Sequence, residues 1–176
     1  DWQDGNTTAG EQARQVKHNQ QLPLDGSLAR QLGDILIRTL SQHPTFVSAA
    51  LPLRIFPPMF NRYRTGETYG LHVDNAIRYA PGSPTPIRTD LSATLFLCSP
   101  QEYEGGELVI EDNFGSQRVK LEAGDLVLYP SSSLHHVAPV RQGERLVALA
   151  WIQSYVRDPA RRELLYELDQ AREYLL

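Results

Sequence analysis

His72-Val73-Asp74 sets an imidazole and a carboxylate two residues apart, and a second histidine source, His135-His136, follows about sixty residues later. On a β-strand, residues two apart point to the same face, so His72 and Asp74 converge. Two imidazoles and one carboxylate on one face of an octahedron bind Fe(II) and leave the opposite face free for other ligands. Zinc hydrolases also use two histidines and a carboxylate, so ligand type alone leaves the metal open. His135 and His136 project to opposite faces of a strand, so only one of them can join the set.

Arg145 narrows the chemistry. It lies ten residues after His135, in Gly143-Glu144-Arg145-Leu146-Val147, where a further strand is expected to open. If Val147, Leu149 and Trp151 face the interior, period two turns Arg145 inward with them. A buried guanidinium needs an anion. A dicarboxylate that chelates iron at one end and meets the guanidinium at the other supplies it through a two-pronged, charge-assisted pair.

The elements that must hold these residues are mostly strands. Short β-rich segments fill the core from about 51 to 153: Leu53–Phe56, Phe60–Tyr63, Gly70–Val73, Leu91–Leu97, Glu107–Ile110, Arg118–Leu121, Asp125–Tyr129, His135–Val140 and Arg145–Ile152. Gly105-Gly106, Ala123-Gly124 and Gln142-Gly143 sit where hairpin turns are needed. Many short strands at close spacing predict an antiparallel sandwich or barrel. Ahead of them, Ser27 is placed to cap a helix carrying Leu28, Leu32, Ile35, Leu36 and Leu40 at helical spacing, with Pro44 beyond its end. A last helix is expected over about 158–175, opened by Asp158-Pro159, with Leu164, Leu165, Leu168, Ala171 and Leu175 as its buried stripe. Residues 1–24 are polar and irregular. Arg78–Arg88, with three prolines and a glycine, reads as a loop beside the site. Asn75 and Arg78 follow the ligand turn, a position from which they can face substrate, but they read better as solvated loop residues, and Tyr129 and Trp151 as core aromatics.

Composition bounds the setting. The 176 residues suit one domain and include a single cysteine, Cys98, so no internal disulfide forms and a reducing cytoplasm is the expected location. The longest apolar run, Leu146 to Ile152, is too short to span a bilayer, so no membrane partner is expected. Net charge is -4, and no basic stripe suits a phosphate backbone, which argues against nucleic acid as substrate and against nucleic-acid demethylation.

The stretches FNRYRTGETYGLHVD, IRTDLSATLFLCSPQEYEGGELVI and GDLVLYPSSSLHHVAPVRQGERLVALAWIQSYVRD resemble the PKHD-type Fe(II)/2-oxoglutarate-dependent hydroxylases of bacteria, relatives of prolyl and lysyl hydroxylases. The similarity runs from TAGEQARQVKHNQQL to the last helix. It implies a mainly β fold with flanking helices, built on a double-stranded β-helix (jelly-roll) core. It also implies Fe(II), 2-oxoglutarate as cosubstrate, O2, and L-ascorbate as reductant. Carried over by position, His72, Asp74 and His135 are the iron ligands, His135 being the residue directly after Leu134, and His136 a rim residue. Arg145 binds a 2-oxoglutarate carboxylate, and Tyr63 resembles the tyrosine that hydrogen-bonds the cosubstrate in prolyl hydroxylases. The GGEL element, Gly105–Leu108, is read as structural. The family's link to iron-uptake operons suggests a siderophore-type small molecule, or a peptide or protein, as substrate. Family members continue further at both ends, so helical segments are expected outside these residues. The competing reading is a cupin-like jelly roll that holds metal without turnover. Cupins generally offer HxH with a separate glutamate, whereas this chain offers HxD.

Overall fold

The computed structural model describes residues 2–8 and 15–175; residues 9–14, part of the family-like segment TAGEQARQVKHNQQL, lie outside them. In chain order, the N-terminal part forms β1 (Gln3–Asp4), a 3-10 turn at Gly5–Thr8, β2 (Lys17–His18) and β3 (Gln20–Gln21). Helices α1 (Ser27–Gln42) and α2 (Pro44–Ala50) follow. The strands are then β4 (Pro52–Ile55), β5 (Met59–Arg64), β6 (Thr68–His72), β7 (Ile77–Tyr79), β8 (Pro86–Arg88) and β9 (Leu91–Phe96). After them come β10 (Tyr103–Gly105), β11 (Leu108–Asp112), β12 (Gly115–Val119), β13 (Leu126–Pro130), β14 (His135–Val137) and β15 (Val140–Ser154). Helix α3 spans Pro159–Leu175.

The strands pair antiparallel into two main sheets. The larger runs β1-β3-β5-β15-β9-β13, with β10 and β4 also on β15, and the smaller runs β12-β11-β14-β6-β2. Strand β15 organises the larger sheet, and its alternation explains the layering. Ala148, Ala150 and Ile152 pack with Ala29, Leu36, Leu40, Phe46 and Ala50 of the two helices. Val147 faces the other way, with Tyr63, Phe96, Val137 and Val140 between the sheets. Both faces of β15 are therefore buried, which is why its centre reads as an unbroken apolar run.

Several details differ from the sequence reading, each for a local reason. Gln142-Gly143 is no hairpin turn; it lies inside β15, opposite Tyr103 and Glu104 of β10. Gly143 sits at φ +78°, and a Cβ there would come within 2.2 Å of the Glu102 carbonyl oxygen, so the close approach of β10 requires glycine. The stretch 78–88 is a small hairpin, β7 with β8, rather than a loop. Pro44 opens α2 instead of only ending α1, with His43 Nδ1 accepting from Phe46 N at 3.4 Å.

The helices bury different faces from those expected. Gly26, without a side-chain cap, precedes α1, and Ser27 is its first residue. The small residues Ala29 and Gly33 face the sheet together with Leu36 and Leu40, while Leu28, Leu32 and Ile35 are exposed, Ile35 at 58%. Gly33 lies against the Pro58 ring, where an added Cβ would stand at 3.4 Å, so the helix approaches through its small side chains. In α3 the expected stripe is also outside, with Leu168 59% exposed. The helix docks through polar contacts instead. Arg162, its buried residue, donates to the Val156 carbonyl at 2.7 Å, and Asp169 accepts from Ser48 at 2.5 Å.

Candidate active site

His72 ends β6 and His135 begins β14, and the register makes them direct cross-strand partners. Their rings approach at 4.2 Å between centroids. Asp74 lies just past β6, not within it, and reaches the same spot from the turn that follows. The three residues each offer a ligand atom within 4.8 Å of the others. His136, on the opposite face of β14, points to Glu111, with Nδ1 3.8 Å from its carboxylate.

The orientation of each ligand is fixed by a neighbour. His72 Nδ1 lies 2.8 Å from the Gly70 carbonyl and His135 Nδ1 lies 2.9 Å from the Ser133 carbonyl. Each Nδ1–H donates to that oxygen, which leaves Nε2 as the free donor atom. Asp74 Oδ2 accepts from Ser92 Oγ at 2.6 Å, and Ser92 is in turn hydrogen-bonded to Ser131 at 2.8 Å. Tyr69 stacks on His72 at 3.7 Å, and Tyr129 packs edge-on to His135. Burial, then the neighbouring His135, pulls the His72 pKa down to about 4. Burial also raises Tyr69 and Tyr129 above the ordinary phenol range. Two imidazoles and one carboxylate are the donor chemistry that suits a divalent iron.

Arg145 faces the same cavity, at 1% exposure, from mid-β15 rather than from a strand end. Among the described residues its Nε and Nη1 have no hydrogen-bond partner, and its guanidinium carbon lies 5.1 Å from the Tyr63 ring and 5.6 Å from that of Phe96. Tyr63 is its direct cross-strand partner on β5 and is equally buried, beside Asn19 and Asn61. Gly106 makes room for this arginine: a Cβ at that position, φ +66°, would stand 3.2 Å from Arg145 Cδ and 3.0 Å from Val140 Cγ2. Orphaned polar atoms of Arg145, Asn61 and Thr94 thus line one cavity, which fits a polar, anionic guest.

Three polar residues of the cavity, Ser92, Thr94 and Lys17, were not singled out from the sequence, and a fourth, Arg78, was assigned to solvent. Ser92 and Thr94 alternate with Leu91, Ala93 and Leu95 on β9, and polar residues at every second position of an apolar strand are the signal for them. Lys17, buried near the N-terminus, carries no such signal. Arg78 is not a solvated loop residue. It is half-buried in the cavity wall, its guanidinium 3.6 Å from the Trp151 ring centroid. Trp151 and Tyr129 are buried aromatics that also line the cavity.

A two-His, one-carboxylate set between the two sheets of a double-stranded β-helix is the arrangement of a non-haem iron oxygenase. The chain belongs to the 2OG-Fe(II) oxygenase superfamily, whose family model matches residues 58–153, and it is an Fe(II)- and 2-oxoglutarate-dependent dioxygenase. A PKHD-type hydroxylase of Saccharophagus degradans is 57% identical over 175 residues, 99% of this chain and 77% of the relative. One from Burkholderia lata is 58% identical over 169 residues, 96% of this chain and 74% of the relative. In fold, a Pseudomonas putida prolyl-4-hydroxylase matches 81% of this chain and 75% of its own at a TM-score of 0.54 and 22% identity. A Trichoplax adhaerens prolyl hydroxylase matches 93% and 73% at 0.56 and 15%.

Proposed function

We propose that residues 1–176 act as one hydroxylase domain in which His72, Asp74 and His135 hold Fe(II) and Arg145 anchors the distal carboxylate of 2-oxoglutarate. The observation that carries this reading is Arg145. A buried guanidinium with two unpaired nitrogens is costly unless an anion meets it, and it faces the cavity that also holds the three ligands. A dicarboxylate spanning guanidinium and metal satisfies both ends with one molecule. Tyr63, directly across from Arg145, is placed to donate its hydroxyl to the same carboxylate.

With iron and 2-oxoglutarate bound, the site supplies oxidative decarboxylation to succinate and CO2 and hydroxylation of an unactivated C–H bond. The chain's own groups prepare it. The Gly70 and Ser133 carbonyls hold the two Nδ1 protons, so both Nε2 lone pairs face the centre. Ser92 fixes the Asp74 carboxylate. Met59, Val137, Leu149 and Trp151 wall the cavity with apolar surface and keep bulk water out.

The resemblance to PKHD-type hydroxylases supports L-ascorbate as reductant. It also supports a cytoplasmic role tied to iron or siderophore uptake, with a small-molecule, peptide or protein substrate. Among the described residues no helix is long and apolar enough to cross a membrane. Succinate release from 2-oxoglutarate by the Fe(II)-loaded protein under air tests the reading. Release that needs Fe(II) and O2 and rises with ascorbate is expected. Metal binding without any succinate would overturn it in favour of a metal-holding jelly roll. Mass spectrometry of an extract incubated with the enzyme, searched for the gain of one oxygen, then identifies the substrate.

A further inference from the structure

We propose that Arg78 is a substrate-binding residue, and that the molecule hydroxylated here presents an oxyanion, such as a carboxylate or phosphate, to its guanidinium. The inference rests on the cosubstrate assignment above, because it requires 2-oxoglutarate to take Arg145 and leave Arg78 free.

Arg78 stands on β7 and leans over the indole of Trp151, with Phe56 at 5.5 Å on the same side. Stacking on a ring uses the flat face of a guanidinium and leaves its edge N–H groups for a partner in the same plane. Among the described residues Nε has no such partner. Arg78 Nε is buried without a hydrogen bond, and no carboxylate among the described residues forms an ion pair with Arg78. The nearest electrostatic support comes from Asp74, while burial works against the charge. Asp74 is a proposed metal ligand, so its negative charge is directed to the metal when the site is filled. Arg78 is then a desolvated cation in need of an anion from outside the chain.

The position separates this cation from the cosubstrate. Trp151, under Arg78, lies six residues beyond Arg145 on β15, roughly 20 Å along the strand at the Cα atoms. Opposite Trp151 on β9 is Ser92, the residue that holds Asp74. The wall therefore runs from Arg145, past Leu149, to the Asp74 and Arg78 end. A five-carbon diacid held at Arg145 and reaching toward the three ligands would fill the first part only. Arg78 stands at the opposite end from Arg145, on the side left for substrate. Beside Arg78 and Arg145, Lys17 adds a third positive charge to this cavity, although its ammonium already donates to the Gly5 carbonyl at 2.7 Å. With 2-oxoglutarate on Arg145, the two remaining cations against the one carboxylate of Asp74 give the cavity a field that draws an anionic substrate inward.

The chain has two tryptophans, so Trp2→Phe leaves Trp151 as the only indole beneath Arg78. In that background, loaded with Mn(II) and 2-oxoglutarate without O2, benzoate and inorganic phosphate are titrated while Trp151 fluorescence is followed. A saturable change with either anion is expected, and its identity tells a carboxylate substrate from a phosphate one. Arg78→Gln should weaken that binding about tenfold or more, and Arg78→Lys should restore part of it. Binding of 2-oxoglutarate, measured by calorimetry on the same proteins, should stay unchanged. Absence of any response to both anions, or equal titrations in Arg78→Gln, overturns the proposal. So does a parallel loss of 2-oxoglutarate affinity in Arg78→Gln, which would make Arg78 a cosubstrate residue. Failure of the parent to bind 2-oxoglutarate would instead defeat the cosubstrate assignment.

Discussion

Arg145 and Tyr63 are direct cross-strand partners on β15 and β5, and their side chains enter the same cavity. His72 and His135 form a second such pair on β6 and β14, in the other sheet. Each pair joins residues far apart in sequence, and antiparallel register sets both members on one face. The site thus lies between two sheets, with the two histidines on one and the buried guanidinium of Arg145 on the other. Only Asp74 comes from a turn, and it is the ligand that needs a separate restraint.

That restraint can be measured. Asp74→Ala removes the only carboxylate of the set and should abolish tight Fe(II) binding. Ser92→Ala leaves every ligand in place but frees Asp74 from its 2.6 Å hydrogen bond. It should weaken metal binding by roughly 10- to 100-fold. Competition against a chromophoric chelator gives both values. Wild-type iron affinity in Asp74→Ala would dismiss the ligand set, and wild-type affinity in Ser92→Ala would mean that Asp74 is held by other contacts.

The adjacent histidines separate by strand parity. His135 is buried in the cavity, whereas His136 is turned toward Glu111. His135→Ala should lose succinate formation, and His136→Ala should retain most of it. The reverse pattern would place the β14 register one residue away from that described.

His72, His135 and the inward turn of Arg145 were legible because period-two alternation survives in a strand whatever packs around it, whereas Asp74, in the turn past β6, was reached through motif order alone. Arg78 was legible only as a residue that follows the ligand turn. Its hairpin carries prolines that read as solvated loop, and the tertiary stack on Trp151 is what turns its side chain inward. The faces of α1 and α3 misled for another reason. Hydrophobicity marks a stripe, but Ala29 and Gly33 let α1 approach through small residues, and α3 docks through Arg162 and Asp169. Size and hydrogen-bonding partners decided those faces, and neither is encoded in periodicity.

Lys17 gives a prediction about pH. Burial, and then the charge of Arg78, lower its pKa from 10.5 to about 8 in the folded chain. Between those values the unfolded chain binds the extra proton, so stability rises with pH through that window. Cys98, whose thiol burial raises above its ordinary 9, opposes this as pH approaches 9, and the buried tyrosines only near and above about pH 10. Urea unfolding of the metal-free protein should therefore show an increasing midpoint from about pH 7.5 to 8.5. In Lys17→Met that rise should vanish. A flat wild-type profile would mean that Lys17 keeps its ordinary ionisation in the fold.

Arg145 offers the sharpest test of the cosubstrate site. Arg145→Met removes the charge and both unpaired N–H donors but keeps much of the buried volume. Fe(II) affinity should be unchanged, since no metal ligand is touched. Breaking a charge-assisted pair in a buried site costs about 2–4 kcal/mol, a ~30- to 1000-fold rise in the 2-oxoglutarate KM. Arg145→Lys should recover only part, because an ammonium cannot make the flat two-pronged contact. Gly106→Ala approaches the same point from outside. Its Cβ would press on Arg145 Cδ and on Val140, so it should raise the KM for 2-oxoglutarate while iron binding persists. Succinate formation against 2-oxoglutarate concentration, beside metal titration, reads all three variants. An unchanged KM in Arg145→Met would leave its buried nitrogens to another anion, and the cosubstrate would have to be held by the metal and other donors of the cavity.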